Sequence, residues 1–214
     1  MRKLTGEKLE AELARLEGMR AYEHQYESAG IVCGIDEAGR GPLAGPVVAA
    51  VAVLPKDCTI LRLNDSKKLS EKCREELFLE IKEKAAAYGI GIVSPEVIDS
   101  INILQATYEA MRQAVAQLPQ EPDIFLNDAV IIPGISEEKQ IKIIKGDAKS
   151  VSIAAASIVA KVTRDRMMEE YDKVLPGYDL ASNKGYGTKA HIAALKELGP
   201  TPIHRASFIK NFVS

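Results

Sequence analysis

Short apolar runs separated by helical patterns constrain the fold of this chain more than any other feature. Residues 46–54 (PVVAAVAVL) form an apolar run rich in β-branched side chains, which indicates a buried strand. Residues 31–36 precede it across a Gly-Arg-Gly-Pro turn signal, so the two runs predict a hairpin-like or bulged pair of strands. Later runs at 88–93, 123–127 and 141–144 alternate with helical patterns, and this order predicts an α/β sheet.

Helical periodicity is strongest just after the last of these runs. Apolar side chains recur there at i, i+3, i+4, i+7, i+8 and i+11, and the small alanines among them permit close packing on a sheet: Val151, Ala154, Ala155, Ile158, Val159 and Val162. Residues 5–26 carry a narrower stripe and predict a helix that docks on the body of the protein or helps to hold substrate. Ser70, Ser94 and Thr188 stand where N-caps of further helices are expected.

Composition excludes several classes of protein. Of 214 residues, 46% are hydrophobic and 27% are charged, which is typical of one globular domain with a modest appendage. No apolar stretch reaches the ~18 residues of a membrane span, and the charged N-terminus lacks the apolar core of a signal peptide. Cys33, Cys58 and Cys73 lack CxxC spacing and indicate reduced thiols without a zinc site. We therefore expect a soluble cytoplasmic protein.

Charge is distributed unevenly along the chain. The net charge is only −2, but residues 182–214 carry five lysines and arginines against one glutamate, a balance of +4. A basic segment on a nearly neutral body indicates a polyanionic partner, although a solvated helical face explains the same pattern.

Three of the apolar runs end in acidic residues. Asp36 and Glu37 follow the first run, and Asp128 and Asp147 follow two later ones. Strand ends in an α/β sheet bring distant residues to one crevice, where carboxylates repel one another unless one is protonated or a cation binds. Oxygen ligands without His or Cys suit Mg²⁺ or Mn²⁺. Two such ions ~4 Å apart can activate water and stabilise the leaving oxygen of a phosphodiester.

Simpler interpretations stay open for these acids. An acidic residue after a strand is commonly a turn former or helix cap, and Asp147 stands where it could cap the helix that follows. Asp36 and Glu37 are neighbours, and neighbouring side chains of a strand point to opposite faces. Both reach one metal site only if the strand ends or bulges there, which the nearby glycines permit.

The loop between the first two strands is rich in glycine. Gly39, Gly41 and Gly45 are spaced GxGxxxG, unlike the dinucleotide-binding fingerprint, and the run that follows has the pattern of a strand where the fingerprint needs a helix. The two acids before the glycines would also repel a pyrophosphate. The loop can instead bring its N–H groups and the Arg40 side chain close to a sugar-phosphate backbone.

Five sequence blocks resemble those of the ribonuclease HII family, the type 2 ribonucleases H, and keep the family's order from about residue 31 to 208. They are GIDEAGRGPLAGPVV (34–48), LNDSKKLS (63–70), KGDAKS (145–150), IAAASIVAKV with the following TRD (153–165), and KGYGT followed by His191 (184–191). The resemblance implies an α/β fold, a ribonuclease H-like mixed sheet flanked by helices, with a C-terminal helical appendage. The N-terminal helix resembles an extension of some bacterial members.

The resemblance also implies a division of the chain and a function. An N-terminal helical extension would cover 1–28, a ribonuclease H-like catalytic domain 29–175, and a C-terminal helical segment that contributes to substrate binding 176–214. The family hydrolyses the RNA strand of RNA–DNA hybrids and incises on the 5′ side of single ribonucleotides in duplex DNA, leaving 3′-hydroxyl and 5′-phosphate ends. This activity serves ribonucleotide removal from DNA. Two Mg²⁺ or Mn²⁺ ions, a monomer and no required protein partner are expected.

Site residues follow from the same resemblance, position by position. The metal-binding and catalytic acids would be Asp36, Glu37, Asp128 and Asp147. The ribose and its flanking phosphates would be contacted by Gly39, Arg40, Gly41 and Tyr186, with Lys67 and Lys184 as candidate phosphate contacts. Tyr186 would stack on the sugar and sense the 2′-hydroxyl, the group that distinguishes RNA from DNA.

The third acid departs from the family pattern. The family usually has Val-Asp-Gly or Ile-Asp-Gly, whereas this chain has Asn127-Asp128-Ala129, and loss of the glycine can shift the loop. Asp123 would lie at the opposite end of the strand and is a poor substitute.

Three alternative functions compete with this one. A ribonuclease HIII-like enzyme prefers RNA tracts, but about thirty residues before the first strand are too few for that family's larger N-terminal domain. A non-catalytic nucleic-acid-binding module has no use for four acids that repel a polyanion. A dinucleotide-dependent oxidoreductase is third, and nucleotide binding would test it.

Overall fold

The computed structural model describes residues 4–213, which form one five-stranded sheet flanked by helices. Residues 1–3 of the predicted N-terminal extension and Ser214 of the predicted C-terminal segment lie outside the described residues. Across 4–213, no helix is both long and apolar enough to cross a membrane. The division of the chain at residues 28 and 175 stays a prediction, and both positions lie outside the sheet.

The sheet is mixed, as predicted. Its strands are β1 (Val32–Ala38), β2 (Val47–Val53), β3 (Ala87–Val93), β4 (Ile124–Asp128) and β5 (Gln140–Ile143), in the order β3-β2-β1-β4-β5. β1 pairs antiparallel with β2, which confirms the predicted hairpin-like pair, and β2 pairs antiparallel with β3. β1, β4 and β5 are parallel, so their carboxyl ends lie at one edge of the sheet.

Nine α-helices occupy residues 4–213: α1 (Glu7–Met19), α2 (Ala21–Tyr26), α3 (Glu71–Lys84), α4 (Pro95–Ile101), α5 (Ile103–Val115), α6 (Val151–Val174), α7 (Leu180–Asn183), α8 (Lys189–Leu198) and α9 (Ala206–Ile209). The predicted caps are confirmed, because the hydroxyls of Ser70, Ser94 and Thr188 each accept a hydrogen bond from a backbone N–H of the first helical turn. After residue 176 the chain forms helices and loops, as expected for the C-terminal segment.

The single helix predicted over 5–26 is two helices, because Arg20 leaves helical geometry at φ −86° and ψ 0°. The Arg20 side chain instead donates hydrogen bonds to the carbonyls of Lys56 and Cys58. Glu23 accepts hydrogen bonds from the Ser150 hydroxyl (2.6 Å) and the Ser152 N–H (2.9 Å) at the start of α6. The expectation that this region docks on the body of the protein is therefore confirmed.

Helices cover both faces of the central strands. α6, α3 and α1 pack on the face that carries Val48, Ala50 and Ala52, and α5 packs on the opposite face. Every residue of β2 up to Ala52 is buried, which explains its uninterrupted apolar run. β2 also follows the glycine loop directly, so no helix N-terminus is available there for a dinucleotide pyrophosphate.

The approach of α6 to β1 depends on Gly34. A Cβ atom at Gly34 would lie 2.1 Å from the backbone carbon of Ser152 and 2.2 Å from the N atom of Ile153. Both atoms belong to the backbone of α6, which cannot move away as a flexible side chain can. Gly34 therefore sets how closely the start of α6 lies against the strand that carries Asp36.

We expect Gly34→Ala to destabilise the protein by about 3 kcal/mol or more, because an added methyl group forces the helix from the sheet. Gly18→Ala is the matched control, since a Cβ at Gly18 meets nothing within 4 Å and alanine favours the helix by up to about 1 kcal/mol. Urea unfolding measures both free energies. A Gly34→Ala protein as stable as the wild type would contradict this account of the packing.

Candidate active site

Three carboxylates meet at the parallel edge of the sheet. Asp36 lies near the end of β1, Asp128 ends β4, and Asp147 lies in the 3₁₀ turn Gly146–Ala148 that follows β5. One carboxylate oxygen from each residue lies within 4.8 Å of the others. Asp36 and Asp147 are buried, and Asp128 is half-buried.

Backbone N–H groups hold two of these side chains. Asp36 Oδ1 accepts a hydrogen bond from the Glu37 N–H, and Asp128 Oδ1 accepts one from the Gly146 N–H, both at 2.8 Å. The second bond ties the end of β4 to the residue before Asp147. Lys145 has a left-handed conformation with φ 58°, which turns the chain from β5 toward the cluster.

Burial and mutual repulsion disfavour ionisation of these acids. Burial, followed by the charge of Glu37, raises the pKa of Asp36 well above its ordinary value. Burial and the charges of Asp65 and Asp128 likewise raise the pKa of Asp147. Burial alone would lower the pKa of Lys67, but the charges of Asp36 and Asp147 raise it. The cluster therefore attracts cations. The Lys67 ammonium group is one such cation, since it feels the charges of Asp36 and Asp147.

Glu37 lies beside the cluster and outside the group of three. Its side chain is paired with Arg40 at 3.3 Å, and its Oε2 is buried without a hydrogen-bond partner in the described part of the chain. The pKa of Glu37 is raised, because the effect of burial outweighs the lowering effect of the Arg40 charge. The strand continues to Ala38, so the side chains of Asp36 and Glu37 point to opposite faces of the sheet, as predicted for neighbours in a strand. This explains why Glu37 does not join the group of three.

The donor set fits a hard divalent cation. It consists of carboxylate oxygens only, which suit Mg²⁺ or Mn²⁺ and not zinc. The unpartnered Oε2 of Glu37 is a further oxygen donor at the border of this set. Asp36, Asp128 and Asp147 would hold the ion, and the place of Glu37 among its ligands stays a prediction.

A cleft beside the carboxylates contains most of the predicted substrate contacts. Its lining includes Glu37, Gly39, Arg40, Gly41, Lys67 and Tyr186. A Cβ atom at Gly41 would lie 3.8 Å from Tyr186 Cε1, so the tyrosine ring lies directly against the glycine loop. Tyr186 is 46% exposed, which leaves its ring free to contact a ligand.

Lys184 is placed differently from the other predicted contacts. Its ammonium group is paired with Glu169 at 2.6 Å, and only 13% of its side chain is exposed. Its carbonyl accepts a hydrogen bond from Arg164 (2.8 Å). The contact of Lys184 with a phosphate stays a prediction.

Several residues that the sequence analysis did not assign to the site also lie here. Asp65 adjoins Asp147, Ser157 lies beside Asp36 with its hydroxyl donating to the Ser66 hydroxyl (2.9 Å), and Lys161 and Arg164 line the cleft. For Lys161 and Arg164, the signal in the sequence was a charged side chain inside the apolar helical pattern of α6. Arg164 is buried and donates to the carbonyls of Pro46 and Ala44, so its role is to hold the loop.

The departure at Ala129 does not displace the loop. Ala129 adopts φ 57°, the left-handed conformation that glycine takes most readily, and its N–H donates to the Ile143 carbonyl at 3.0 Å. Asp128 therefore keeps its place in the cluster. The cost of the departure is backbone strain at an exposed alanine.

Solved structures share this fold. The ribonuclease H2 of Pyrococcus horikoshii OT3 has a TM-score of 0.66 and 27% identity, covering 85% of this chain and 96% of that one. The ribonuclease HII of Archaeoglobus fulgidus, solved as a PCNA:RNase HII complex, has a TM-score of 0.66 and 28% identity, covering 82% and 93%. The fold and the carboxylate site thus define a nuclease of the ribonuclease H type.

Sequence comparison places the chain more narrowly. The family model described as Ribonuclease HII matches residues 33–211. A Ribonuclease HII of Lachnoclostridium phytofermentans is 64% identical over 208 residues, which are 97% of this chain and 82% of that protein. The chain belongs to the ribonuclease HII family and is an endonuclease.

We expect Ala129→Gly to stabilise the protein by about 0.5–1 kcal/mol, because relief of the left-handed strain exceeds the added entropy of the unfolded chain. Ala86→Gly is the control, since Ala86 is also exposed and outside any helix but lacks a positive φ. This control should lose stability. Urea unfolding compares the two, and a loss of stability in both would show that Ala129 is unstrained.

We expect Asp36→Asn to raise the Tm of the metal-free protein at pH 7, by roughly 2–4 °C for each kcal/mol of repulsion removed. The pKa of Asp36 is higher in the folded protein than in the unfolded chain. The metal-free fold therefore loses stability as the pH rises from the unfolded-state pKa through the folded-state pKa. The gain should therefore shrink in acid. Mn²⁺ should raise the Tm of the wild type more than that of Asp36→Asn.

The measurement is thermal unfolding in EDTA and in Mn²⁺, at pH 5 and pH 7. Asp57→Asn is the control, because Asp57 is exposed and lies outside the cluster. Equal Mn²⁺ stabilisation of Asp36→Asn and the wild type would remove Asp36 from the cation site.

Proposed function

We propose that this protein hydrolyses the RNA strand of RNA–DNA hybrids and incises duplex DNA on the 5′ side of a single embedded ribonucleotide, leaving 3′-hydroxyl and 5′-phosphate ends. The observation that carries the proposal is the position of three clustered carboxylates beside a cleft where Tyr186 lies against Gly41. One part of the site can hold cations, and the other can contact a sugar. Membership of the ribonuclease HII family supports the same activity.

The carboxylates would bind Mg²⁺ or Mn²⁺, with two ions in the substrate complex. Asp36, Asp128 and Asp147 would be the ligands, and Glu37 would complete the set when its unpartnered oxygen turns to the ion. When bound, divalent ions activate the attacking water and stabilise the leaving oxygen of the phosphodiester. The Glu37 N–H would keep the Asp36 carboxylate in the orientation that ligation requires.

Recognition of the ribose would come from the other side of the cleft. Tyr186 presents an exposed ring against which a sugar can stack, and the glycine loop brings backbone groups close without an intervening side chain. The loop of Gly39, Arg40 and Gly41 can bond a 2′-hydroxyl, which DNA lacks, through the N–H groups of Arg40 and Gly41. Arg40 and Lys67 are cations at the positions where flanking phosphates would pass.

We further propose that the protein acts as a monomer in the cytoplasm and needs no protein partner. The three cysteines are free thiols, which suits a reducing compartment. In the cell the activity would serve ribonucleotide removal from DNA.

The test is cleavage of a labelled DNA duplex with one internal ribonucleotide, in Mg²⁺, Mn²⁺ or EDTA, beside an all-DNA duplex. We expect one nick on the 5′ side of the ribonucleotide, lost in EDTA and absent from the control. Asp147→Asn should reduce kcat by about a thousandfold or more, because it removes a cation ligand without removing volume. Asp57→Asn should retain wild-type activity.

Each alternative has its own outcome in this assay. Cleavage of long hybrids without the single nick would show the tract-specific activity of a ribonuclease HIII-like enzyme. Binding without any cleavage would leave a non-catalytic nucleic-acid-binding module. Turnover retained by Asp147→Asn would overturn the assignment of the carboxylates.

A further inference from the structure

The C-terminal segment 201–205 passes behind the ribose-contacting side of the cleft. Ala44 and His204 form an isolated antiparallel bridge, in which the Gly45 N–H donates to the Ile203 carbonyl and the Arg205 N–H donates to the Leu43 carbonyl, both at 2.8 Å. Two consecutive side chains then reach forward from this bridge. One contacts the glycine loop, and the other leads to Tyr186.

Arg205 is fully buried, and within residues 4–213 all its side-chain hydrogen bonds are donated to backbone carbonyls. Its Nη2 donates to Gly39 (2.6 Å) and Gly45 (2.9 Å), its Nη1 to Arg40 (3.0 Å) and its Nε to Gly45 (3.0 Å). Two successive peptide planes of the loop therefore present their carbonyl oxygens to one guanidinium group.

This contact determines where the loop's N–H groups point. No peptide bond within residues 4–213 is cis, and in a planar trans peptide the C=O and the following N–H point in opposite directions. Because the carbonyls of Gly39 and Arg40 face Arg205, the N–H groups of Arg40 and Gly41 face away from it. Neither N–H has a backbone acceptor within 4–213, and both residues line the cleft.

His204 reaches Tyr186 through a second histidine. The Thr201 N–H donates to His204 Nδ1 (3.0 Å), His204 Nε2 lies 3.0 Å from His191 Nε2, and His191 Nδ1 lies 2.9 Å from the Tyr186 carbonyl oxygen. A backbone N–H can only donate, so His204 Nδ1 is the acceptor and its proton is on Nε2. His191 Nε2 then accepts, and its Nδ1–H donates to Tyr186.

The order of these protons is stable at neutral pH. Burial, followed by the charge of His191, lowers the pKa of His204 to about 4, so His204 stays neutral. Both histidines are buried and away from the carboxylate cluster. The chain of bonds therefore fixes the backbone of Tyr186, the residue whose ring lies against Gly41.

We propose that His204 and Arg205 are positioning residues for ribose recognition. Arg205 directs the N–H groups of Arg40 and Gly41 into the cleft, and His204 acts through His191 to fix Tyr186. The inference rests on the proposed function, since it assigns a second layer of residues to the same ribose-contacting surface.

The first test compares His204→Asn with His204→Gln. Asparagine reaches only the position of Nδ1 and loses the bond to His191, whereas the longer glutamine can place its NH₂ group near Nε2 and keep that bond. We expect His204→Asn to reduce kcat on the single-ribonucleotide duplex by about tenfold or more, with KM changed less than about twofold, because the ribose is misplaced while phosphate contacts remain. His204→Gln should recover most of kcat.

Binding in EDTA provides a second measurement, the preference for the single-ribonucleotide duplex over the all-DNA duplex. A purely structural role of His204 would not change this preference. Fluorescence anisotropy gives the affinities of each protein for the single-ribonucleotide duplex and for the all-DNA duplex. We expect the wild type to prefer the first, and His204→Asn to lose this preference while keeping its affinity for DNA. Equal losses of affinity for both duplexes, or an unchanged preference, would overturn the inference.

Arg205→Lys tests the other residue, because one ammonium group cannot serve three carbonyls in the planar arrangement of a guanidinium. We expect the same loss of preference and kcat, and Lys210→Arg is the control for exchanging one cation for another in this segment, since Lys210 is exposed. If Arg205→Lys does not fold, the His204 pair decides the proposal. If the wild-type protein does not nick the single-ribonucleotide duplex, the proposed function itself is overturned. If the wild type nicks it and the variants behave like the wild type, only the positioning roles are overturned.

Discussion

Repulsion among three clustered carboxylates is the constraint on which the site depends. Asp36, Asp128 and Asp147 come from separate elements, yet their oxygens lie within 4.8 Å of one another. Such an arrangement opposes folding unless a cation or protons compensate. The fold must therefore hold these residues together by interactions that lie outside the cluster.

Two of those interactions act through α6. Gly34 lets the start of the helix lie directly against β1, and Glu23 from the N-terminal region binds the Ser150 hydroxyl and the Ser152 N–H at the same helix end. The turn that carries Asp147 leads directly into this end of α6. The N-terminal helices thus stabilise the edge of the sheet that carries the carboxylates, although none of the described residues of α1 and α2 lines the cleft.

Most of the sheet and the acids could be predicted from the sequence, because both leave local patterns. β2 is covered on both faces and is continuously apolar, and each acid of the cluster follows an apolar run. The break at Arg20 and the pairing of Lys184 with Glu169 leave no such pattern, since each depends on partners brought close by folding. Arg205 is the extreme case: its acceptor at Gly39 is 166 residues away and is a carbonyl that every residue possesses.

The two sides of the cleft are held by opposite electrostatics. On one side, carboxylates crowd together and repel both one another and any phosphate. On the other side, the buried guanidinium groups of Arg164 and Arg205 bind backbone carbonyls, and the N–H groups of Arg40 and Gly41 have no backbone acceptor within residues 4–213. A divalent cation would remove the repulsion on the first side, and under the proposed function a nucleic-acid backbone would supply acceptors for the N–H groups of the second side. The cation would therefore complete the carboxylate half of the site and the polyanion would complete the loop half. Each is needed because the protein alone neither neutralises the carboxylates nor supplies acceptors to the loop's N–H groups.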